Sequence, residues 1–278
     1  ICTAIECTYD GDCANGATTT VDFKDISLGV SQITAYHQNY PLAAIIGVDQ
    51  ETSQAAAEAS RALGLRHNAP EAIEAAGNKY RFRGRLANSG LPAPWFTLLP
   101  LGDDPGVHAG AMPYPVVLKP LTLSASRGVI RADNAQQFIA ATKRIKSILA
   151  KTQTRGEAAN HVLVEDYIPG TEVALEGLLE DGQLTVLALF DKPDPLVGPF
   201  FEETIYVTPS RLPQATQVDI AATTARAADV LGLLHGPVHA ELRINDDGIW
   251  PIEIAARSIG GLCSRALEFG DSGRLEDL

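Results

Sequence analysis

The chain has 278 residues, 45% hydrophobic and 20% charged, with a net charge of −12 at pH 7. That composition is ordinary for a globular protein, and the acidic balance argues against a nucleic-acid surface, which needs clusters of Lys and Arg. No apolar run reaches membrane-spanning length, and the first residues lack the basic start and apolar core of a signal peptide, so a cytoplasmic protein is expected.

Residues 1–77 read as α/β material. The first 24 carry no clear pattern, and position 1 is Ile rather than Met, as in a fragment or processed chain. Cys2, Cys7 and Cys13 match no zinc spacing and read as free thiols in a reducing compartment. Pro41 to Val48 is a short apolar run suited to a buried parallel strand. Glu51 to Leu65 is Ala-rich and helical, with Gly64 near its end. A unit this short cannot close a sheet, so 1–77 is expected to be a partial domain.

From 78 onward the pattern changes. Lys79, Arg81, Arg83 and Arg85 lie on a helix ending at Gly90, and Pro92 and Pro94 enforce an extended exit. Four cations so close together in an acidic chain suit an anion site or a solvated face. Val116 to Leu118 reads as a buried strand ending in Lys119. The loop Leu121 to Gly128 holds Ser124, Ser126, Arg127 and Gly128. Small residues there let backbone N–H groups approach phosphate oxygens, although a plain turn has the same composition. The G-x-x-x-x-G-K-[ST] spacing is absent, so this is not a Walker A loop. Asn134 to Ala150 reads as a helix with Asp133 as N-cap. Three strands follow over 161–168, 171–180 and 183–190, with Asp181-Gly182 as a hairpin turn. Residues 191–213 form a long proline-rich loop of the kind that is often functional. Its Lys192, Glu202 and Glu203 suit a pocket wall or a solvated loop, and no catalytic role is assigned to them. Gln217 to Leu234 is an amphipathic helix.

That helix delivers the chain to its most informative stretch, Val238 to Gly261. Val238, Ala240, Leu242 and Ile244 are apolar, and His239, Glu241 and Arg243 alternate with them. On the return, Trp250, Ile252 and Ile254 are apolar, while Glu253 and Arg257 take the other parity. Period 2 on both arms predicts a β-hairpin. Matching the polar faces puts Glu241 opposite Glu253 and leaves Asp246-Asp247-Gly248 as a three-residue loop. Like charges in that position repel. Either a divalent cation such as Mg²⁺ sits between the carboxylates, or they splay into water. Arg257 shares their face and could meet an anion there. His239 reads as a satisfied structural histidine.

Taken in series, these stretches resemble a known family: Asn78-Lys79, Arg83, the Gly90–Pro94 exit, Lys119 closing its strand, Ser124–Gly128, Glu165-Asp166-Tyr167-Ile168, Glu172, Glu241, Glu253 and Arg257. The series looks like the ATP-grasp superfamily, in particular its carboxylate–amine ligases of the L-amino-acid ligase type. The resemblance spans about residues 40–270. It implies an α+β ATP-grasp fold over 78–278, two α+β subdomains clamping ATP, preceded by a partial α/β domain at 1–77. The lid would be about 95–165 and the base about 166–270.

The resemblance further implies roles. Lys79 and Lys119 would contact ATP phosphates, and the loop with Ser124, Ser126, Arg127 and Gly128 would close over them. Glu165, Asp166, Tyr167 and Ile168 would read adenine, largely through backbone groups. Glu172 would bind the ribose. Glu241 and Glu253 would hold Mg²⁺, with Mn²⁺ an alternative, and Arg257 and Lys119 would serve the phosphoryl transfer. The partners would be a small-molecule carboxylate and amine, not nucleic acid or membrane, and a homo-oligomer is compatible. Two alternatives stay open: a biotin carboxylase-like or purine-pathway carboxylase, and a nucleotide-binding domain without turnover. Many relatives carry Asn where this chain has Ala255, which removes one metal ligand. They also continue further beyond the last motif, so a truncated chain is expected.

Overall fold

A computed structural model describes residues 19–23, 25–152, 154–202, 204–261, 263–269 and 273–275. Cys2, Cys7, Cys13 and Glu203 lie outside the described residues. Four helices come first: α1 (Ile26–Asn39), α2 (Gln50–Leu63), α3 (Pro70–Gly77) and α4 (Lys79–Ser89). Among the described residues the named strands then form two four-stranded antiparallel sheets. The architecture is α+β.

The first sheet has the order β1-β4-β2-β3. It is built from β1 (Phe96–Pro100), β2 (Val116–Pro120), β3 (Ile130–Ala132) and β4 (His161–Asp166). Short α5 (Pro105–Ala109) and α7 (Glu157–Asn160) flank the long α6 (Ala135–Lys151). Phe138, Ala141, Ile145 and Leu149 recur at helical spacing on α6, and that stripe packs on Val116, Leu118, Val162 and Val164. Asn134 rather than Asp133 is the N-cap, its side chain accepting from Gln137 N. Asp133 instead takes the Arg131 guanidinium at 2.7 Å.

The second sheet has the order β6-β5-β7-β8. Its strands are β5 (Thr171–Glu180), β6 (Gln183–Lys192), β7 (Gly236–Asn245) and β8 (Gly248–Ala255). Helix α8 (Gln214–Leu231) starts three residues earlier than expected and ends at Gly232, which takes the left-handed C-cap conformation. Ile220, Ala227 and Leu231 of α8 join Val173, Leu175, Val238, Ala240 and Leu242 in the largest core. Phe82 and Leu86 of α4 and Ala72, Ile73 and Ala76 of α3 lie in the same core. Burying a side chain of Phe or Leu size contributes roughly 1.5–3 kcal/mol, so α3 and α4 are held to this sheet and the packing runs unbroken across residues 77 and 78. A short α9 (Cys263–Ala266) follows β8. None of the described helices is long and apolar enough to cross a membrane.

Residues 41–48 are not a strand. A strand needs a neighbour for its backbone groups, and no described segment pairs with this one. Ile46 and Val48 are exposed. The loop after Lys192 is more tied down than its composition suggests. Asp191 bridges Val207, and Phe200 bridges Ile130 of the first sheet.

Candidate active site

The chain passes from the first sheet to the second through residues 167–170. A cleft of about 490 Å³ opens between the sheets at this crossing. One wall is the polar face of the second sheet. Strand alternation puts Glu172 and Glu176 of β5, Lys192 of β6, His239, Glu241 and Arg243 of β7 and Glu253 of β8 on that face. Glu172 is directly opposite Lys192 on one side and Arg243 on the other. Both cations bond it, Lys192 Nζ at 2.9 Å and Arg243 Nε at 2.8 Å. Glu241 lies opposite Ala174. That small side chain lets Lys192 reach across β5 to Glu241 at 3.0 Å.

Glu241 and Glu253 do face each other across β7 and β8, by a different route from the expected one. Asn245 opposes Gly248, so the turn is the two residues Asp246-Asp247. A bulge then restores the register: Pro251 opposes Leu242, Glu253 opposes Glu241, and Ile252 is the extra residue. Proline suits a bulge because it lacks the ladder N–H. Ile252 turns into the cleft wall, and the Pro251 carbonyl accepts a hydrogen bond from Arg83.

The expected repulsion between the two glutamates is corrected by the cations beside them. Lys79 Nζ lies 2.9 Å from Glu253 Oε2, and Lys192 lies beside Glu241. Each carboxylate has an ammonium beside it, Lys192 being shared with Glu172, so the repulsion is offset without metal. His239 is a third cation there. Burial opposes its charge, but Glu176 and Glu241 outweigh that and raise its pKa to about 9.

Helix α4 divides its four cations by face. Lys79 and Arg83, one turn apart, point inward and are buried, while Arg81 and Arg85 are exposed. Arg83 forks onto Glu165, Nε to Oε2 at 2.6 Å and Nη2 to Oε1 at 3.1 Å. Lys119 Nζ takes Oε1 of the same carboxylate at 2.6 Å. Arg83 is 1% exposed and Glu165 is 2% exposed. Burial works against ionisation of Glu165, but the two cations win and hold its carboxyl at about 2. Lys119 goes the other way for a salt-bridged lysine: burial lowers its pKa, and Arg83 and Lys79 add to this against the pull of Glu165. One carboxylate shared by two buried cations satisfies the arginine more fully than the lysine.

The remaining expected residues are distributed as follows. Ser124 and Ser126 line the cleft, with Ala125 and Ser126 in the left-handed region. Lys79 also donates to the Leu123 carbonyl at 2.9 Å, tying the loop to α4. Arg127 and Gly128 are not among the cleft-lining residues. They line a second cavity behind the loop with Arg144 and Phe200. Gly128 has φ +77, and a Cβ there would lie 2.8 Å from the Pro120 ring. Asp166, Tyr167 and Ile168 line the crossing. Burial pushes the Asp166 carboxyl up. Tyr167 is held by Arg131, whose guanidinium lies 4.1 Å from its ring centroid, and by Phe201, stacked at 6.5 Å. Arg257 is half-buried on the cleft wall and donates to the Ser258 carbonyl.

Among the described residues no group of three or more His, Cys, Asp or Glu could hold a metal ion. Glu241 and Glu253 offer two opposed carboxylates. That set suits Mg²⁺, which takes one or two protein carboxylates and completes its shell with water and phosphate oxygens. The residues therefore fit a metal that arrives with a phosphate ligand.

An ATP-grasp domain family matches residues 112–266, more than half of the chain. The chain belongs to the ATP-grasp family. Alanine–anticapsin ligase of Bacillus subtilis (strain 168) is 27% identical over 223 residues, covering 73% of this chain and 46% of that ligase. The crystal structure of L-amino acid ligase from Bacillus licheniformis superposes with a TM-score of 0.71 at 27% identity, over 86% of this chain and 55% of that one. The biotin carboxylase domain of Hydrogenobacter thermophilus 2-oxoglutarate carboxylase was solved with MgADP, ADP and bicarbonate. It gives a TM-score of 0.67 at 18% identity, over 84% of this chain and 52% of that one, and shares the fold. The chain spans about half the length of these proteins.

The ATP-grasp chain holds buried charged residues in and behind the cleft wall that sequence reasoning left without a role. Arg83, Glu176, Lys192 and Arg243 are all buried in the ionic network of the cleft. The signal for Arg83 was its spacing of four from Lys79. The signal for Glu176 and Arg243 was their parity with Glu172 and Glu241. Neither signal names a partner without the strand order.

Proposed function

We propose that this chain binds ATP with Mg²⁺ in the cleft. As part of a ligase, it would activate a carboxylate as an acyl phosphate and pass the acyl group to an amine, releasing phosphate. The observation that carries this reading is the convergence, on one cleft between two sheets, of Lys79, Lys119 and Arg257 with the opposed pair Glu241 and Glu253. Phosphoryl transfer needs positioned cations around the moving phosphoryl group more than a protein nucleophile. Two ATP-grasp relatives at 27% identity, alanine–anticapsin ligase and the Bacillus licheniformis L-amino acid ligase, are by name amino-acid ligases. This favours an α-amino acid as the carboxylate and a second amino acid as the amine, over bicarbonate.

Glu241 and Glu253 would hold Mg²⁺, which neutralises phosphate charge when bound. Lys79 and Lys119 would lie along the phosphates, and the loop carrying Ser124 and Ser126 would cover them and exclude water. The backbone of Glu165 to Ile168 would receive the base. Glu172, fixed by Lys192 and Arg243, would face the sugar. Arg257 would stabilise the charge that develops on the transferred group. The carboxylate and amine would enter beside Arg257, Ile259 and Gly260, and holding both there supplies the proximity on which the second step depends.

Phosphate release measured across pairs of amino acids, with and without bicarbonate, tests the reading. Release that requires two amino acids is expected. Release that requires bicarbonate, or nucleotide binding without release, would refute it.

A further inference from the structure

Beneath the cleft wall lies a carboxylate for which the proposed chemistry assigns no part. Glu176 is 0% exposed. A carboxylate so buried needs strong partners, and both of its partners belong to the cleft. One is the backbone N–H of Ile259, which donates to Oε1 at 3.0 Å and Oε2 at 3.1 Å. The other is His239, whose Nδ1 lies 3.2 Å from Oε2. The far side of the same imidazole, Nε2, lies 3.7 Å from Oε1 of Glu241.

Two features of the sheet set this arrangement. Glu176 is directly opposite His239 in the regular ladder between β5 and β7. On its other edge the register with β6 shifts between Glu176 and Gly177. A Cβ at Gly177 would lie 2.7 Å from the Leu184 side-chain tip and 3.0 Å from the Thr185 carbonyl, so β5 and β6 run close together beside Glu176. The carboxylate is thus built into the sheet, and its two arms leave in different directions. The His239 arm comes within ion-pair distance of the hairpin carboxylate, on the same Oε1 that Lys192 holds at 3.0 Å. The Ile259 arm anchors the segment after β8, in which Arg257, Ile259, Gly260 and Gly261 all line the cleft.

We propose that Glu176 is a positioning residue that sets two parts of the site at once: Glu241 through His239, and the Arg257–Gly261 segment through the Ile259 N–H. The proposal rests on the nucleotide-binding reading of the cleft. Physically, a metal-binding carboxylate acts well only when its own neighbours fix its orientation, and such neighbours typically alter metal affinity about 10- to 100-fold when removed. The same buried group fixing the arginine segment would keep metal and arginine in constant relation, which positioning catalysis demands.

Three variants separate the arms. Glu176→Asp keeps the charge but withdraws the carboxylate by one methylene, so it cannot reach both partners. Glu176→Ala removes both arms. His239→Ala removes only the first. Calorimetry would measure binding of a non-hydrolysable ATP analogue with and without Mg²⁺, and amide exchange would follow residues 257–261 in the free protein. Both Glu176 variants are expected to reduce the Mg²⁺-dependent part of the affinity about tenfold and to speed exchange at 257–261. His239→Ala should reduce the affinity increment and leave that exchange unchanged. Metal-free binding should stay within twofold throughout. If Glu176→Ala does not fold, the Asp variant decides. A folded Glu176→Asp protein with wild-type Mg²⁺ dependence and wild-type exchange would overturn the proposal, even if it melts earlier. A wild-type protein that binds no analogue would refute the nucleotide reading instead. The exchange comparison needs no ligand and would still decide the Ile259 arm.

Discussion

Replacing Glu165 with Gln tests the charge arrangement at the crossing between the sheets. The variant keeps the shape and removes the one carboxylate that Arg83 and Lys119 share. Two estimates of the cost can be compared. The carboxyl titrates at about 2 rather than the ordinary 4.5. A gap of that size corresponds to about 3 kcal/mol at ~1.4 kcal/mol per pKa unit. Removing one partner of a buried ion pair typically costs about 3–5 kcal/mol. The lower end applies here, because Lys119 is already pushed toward its neutral form and can shed its proton. Arg83 cannot, and stays charged and uncompensated. At ~2–4 °C per kcal/mol for a chain of this size, the melting temperature should fall by about 10 °C. The pH dependence follows from the depressed pKa. The stabilisation is complete above pH 4.5 and is lost as pH falls toward 2, because the folded state releases this proton and the unfolded state holds it. Urea denaturation of the wild type should therefore show stability falling across that window, and Glu165→Gln should show a shallower fall. A variant melting within a degree of wild type, with an unchanged acid limb, would refute the reasoning.

Further outcomes are expected at the other charged positions. Glu253→Gln should abolish Mg²⁺-dependent phosphate release and also lower the stability of the free protein by about 1–2 kcal/mol, since Lys79 loses a charged partner; a rise in melting temperature would restore the repulsion picture. Arg257→Ala should leave Mg²⁺-dependent nucleotide affinity within threefold and slow single-turnover phosphoryl transfer about 100-fold or more, and an equal loss in both would make it a binding residue. The loop Leu121–Gly128 should gain amide protection on nucleotide binding, at Ser124 and Ser126, which line the cleft, more than at Arg127 and Gly128, which line only the second cavity; uniform exchange in both states would make the loop purely structural.

The alternation of Val238 to Ile244 and the parity of Glu253 and Ile254 placed Glu241 opposite Glu253, because a strand whose one face is buried favours registers that keep that face inward. The turn length that seemed to support this pairing was wrong, and Pro251 in a bulge compensated for it. Parity held on β7 and at Glu253 and Ile254, but between the turn and the bulge it reversed: Trp250 opposes Arg243, Pro251 opposes Leu242, and Ile252 lines the cleft rather than the core. Helical spacing also fixes that Lys79 and Arg83 share a face, although reading the four cations as one run did not separate them from Arg81 and Arg85. The reverse held for residues 41–48, whose apolar run signals a strand but cannot supply the neighbour that makes one. What only the tertiary structure decided is which charge meets which. Lys192 reaches Glu241 because β5 lies between β6 and β7 and carries Ala174 at the crossing point. Arg83 reaches Glu165 because α4 packs on the second sheet yet touches the end of the first. Glu176 reaches Ile259 from 83 positions away in the chain. A short-range pattern records the face on which a side chain lies, since that is fixed by the backbone period. The partner on that face is fixed by strand order and helix docking, which depend on burying apolar surface contributed by the whole chain.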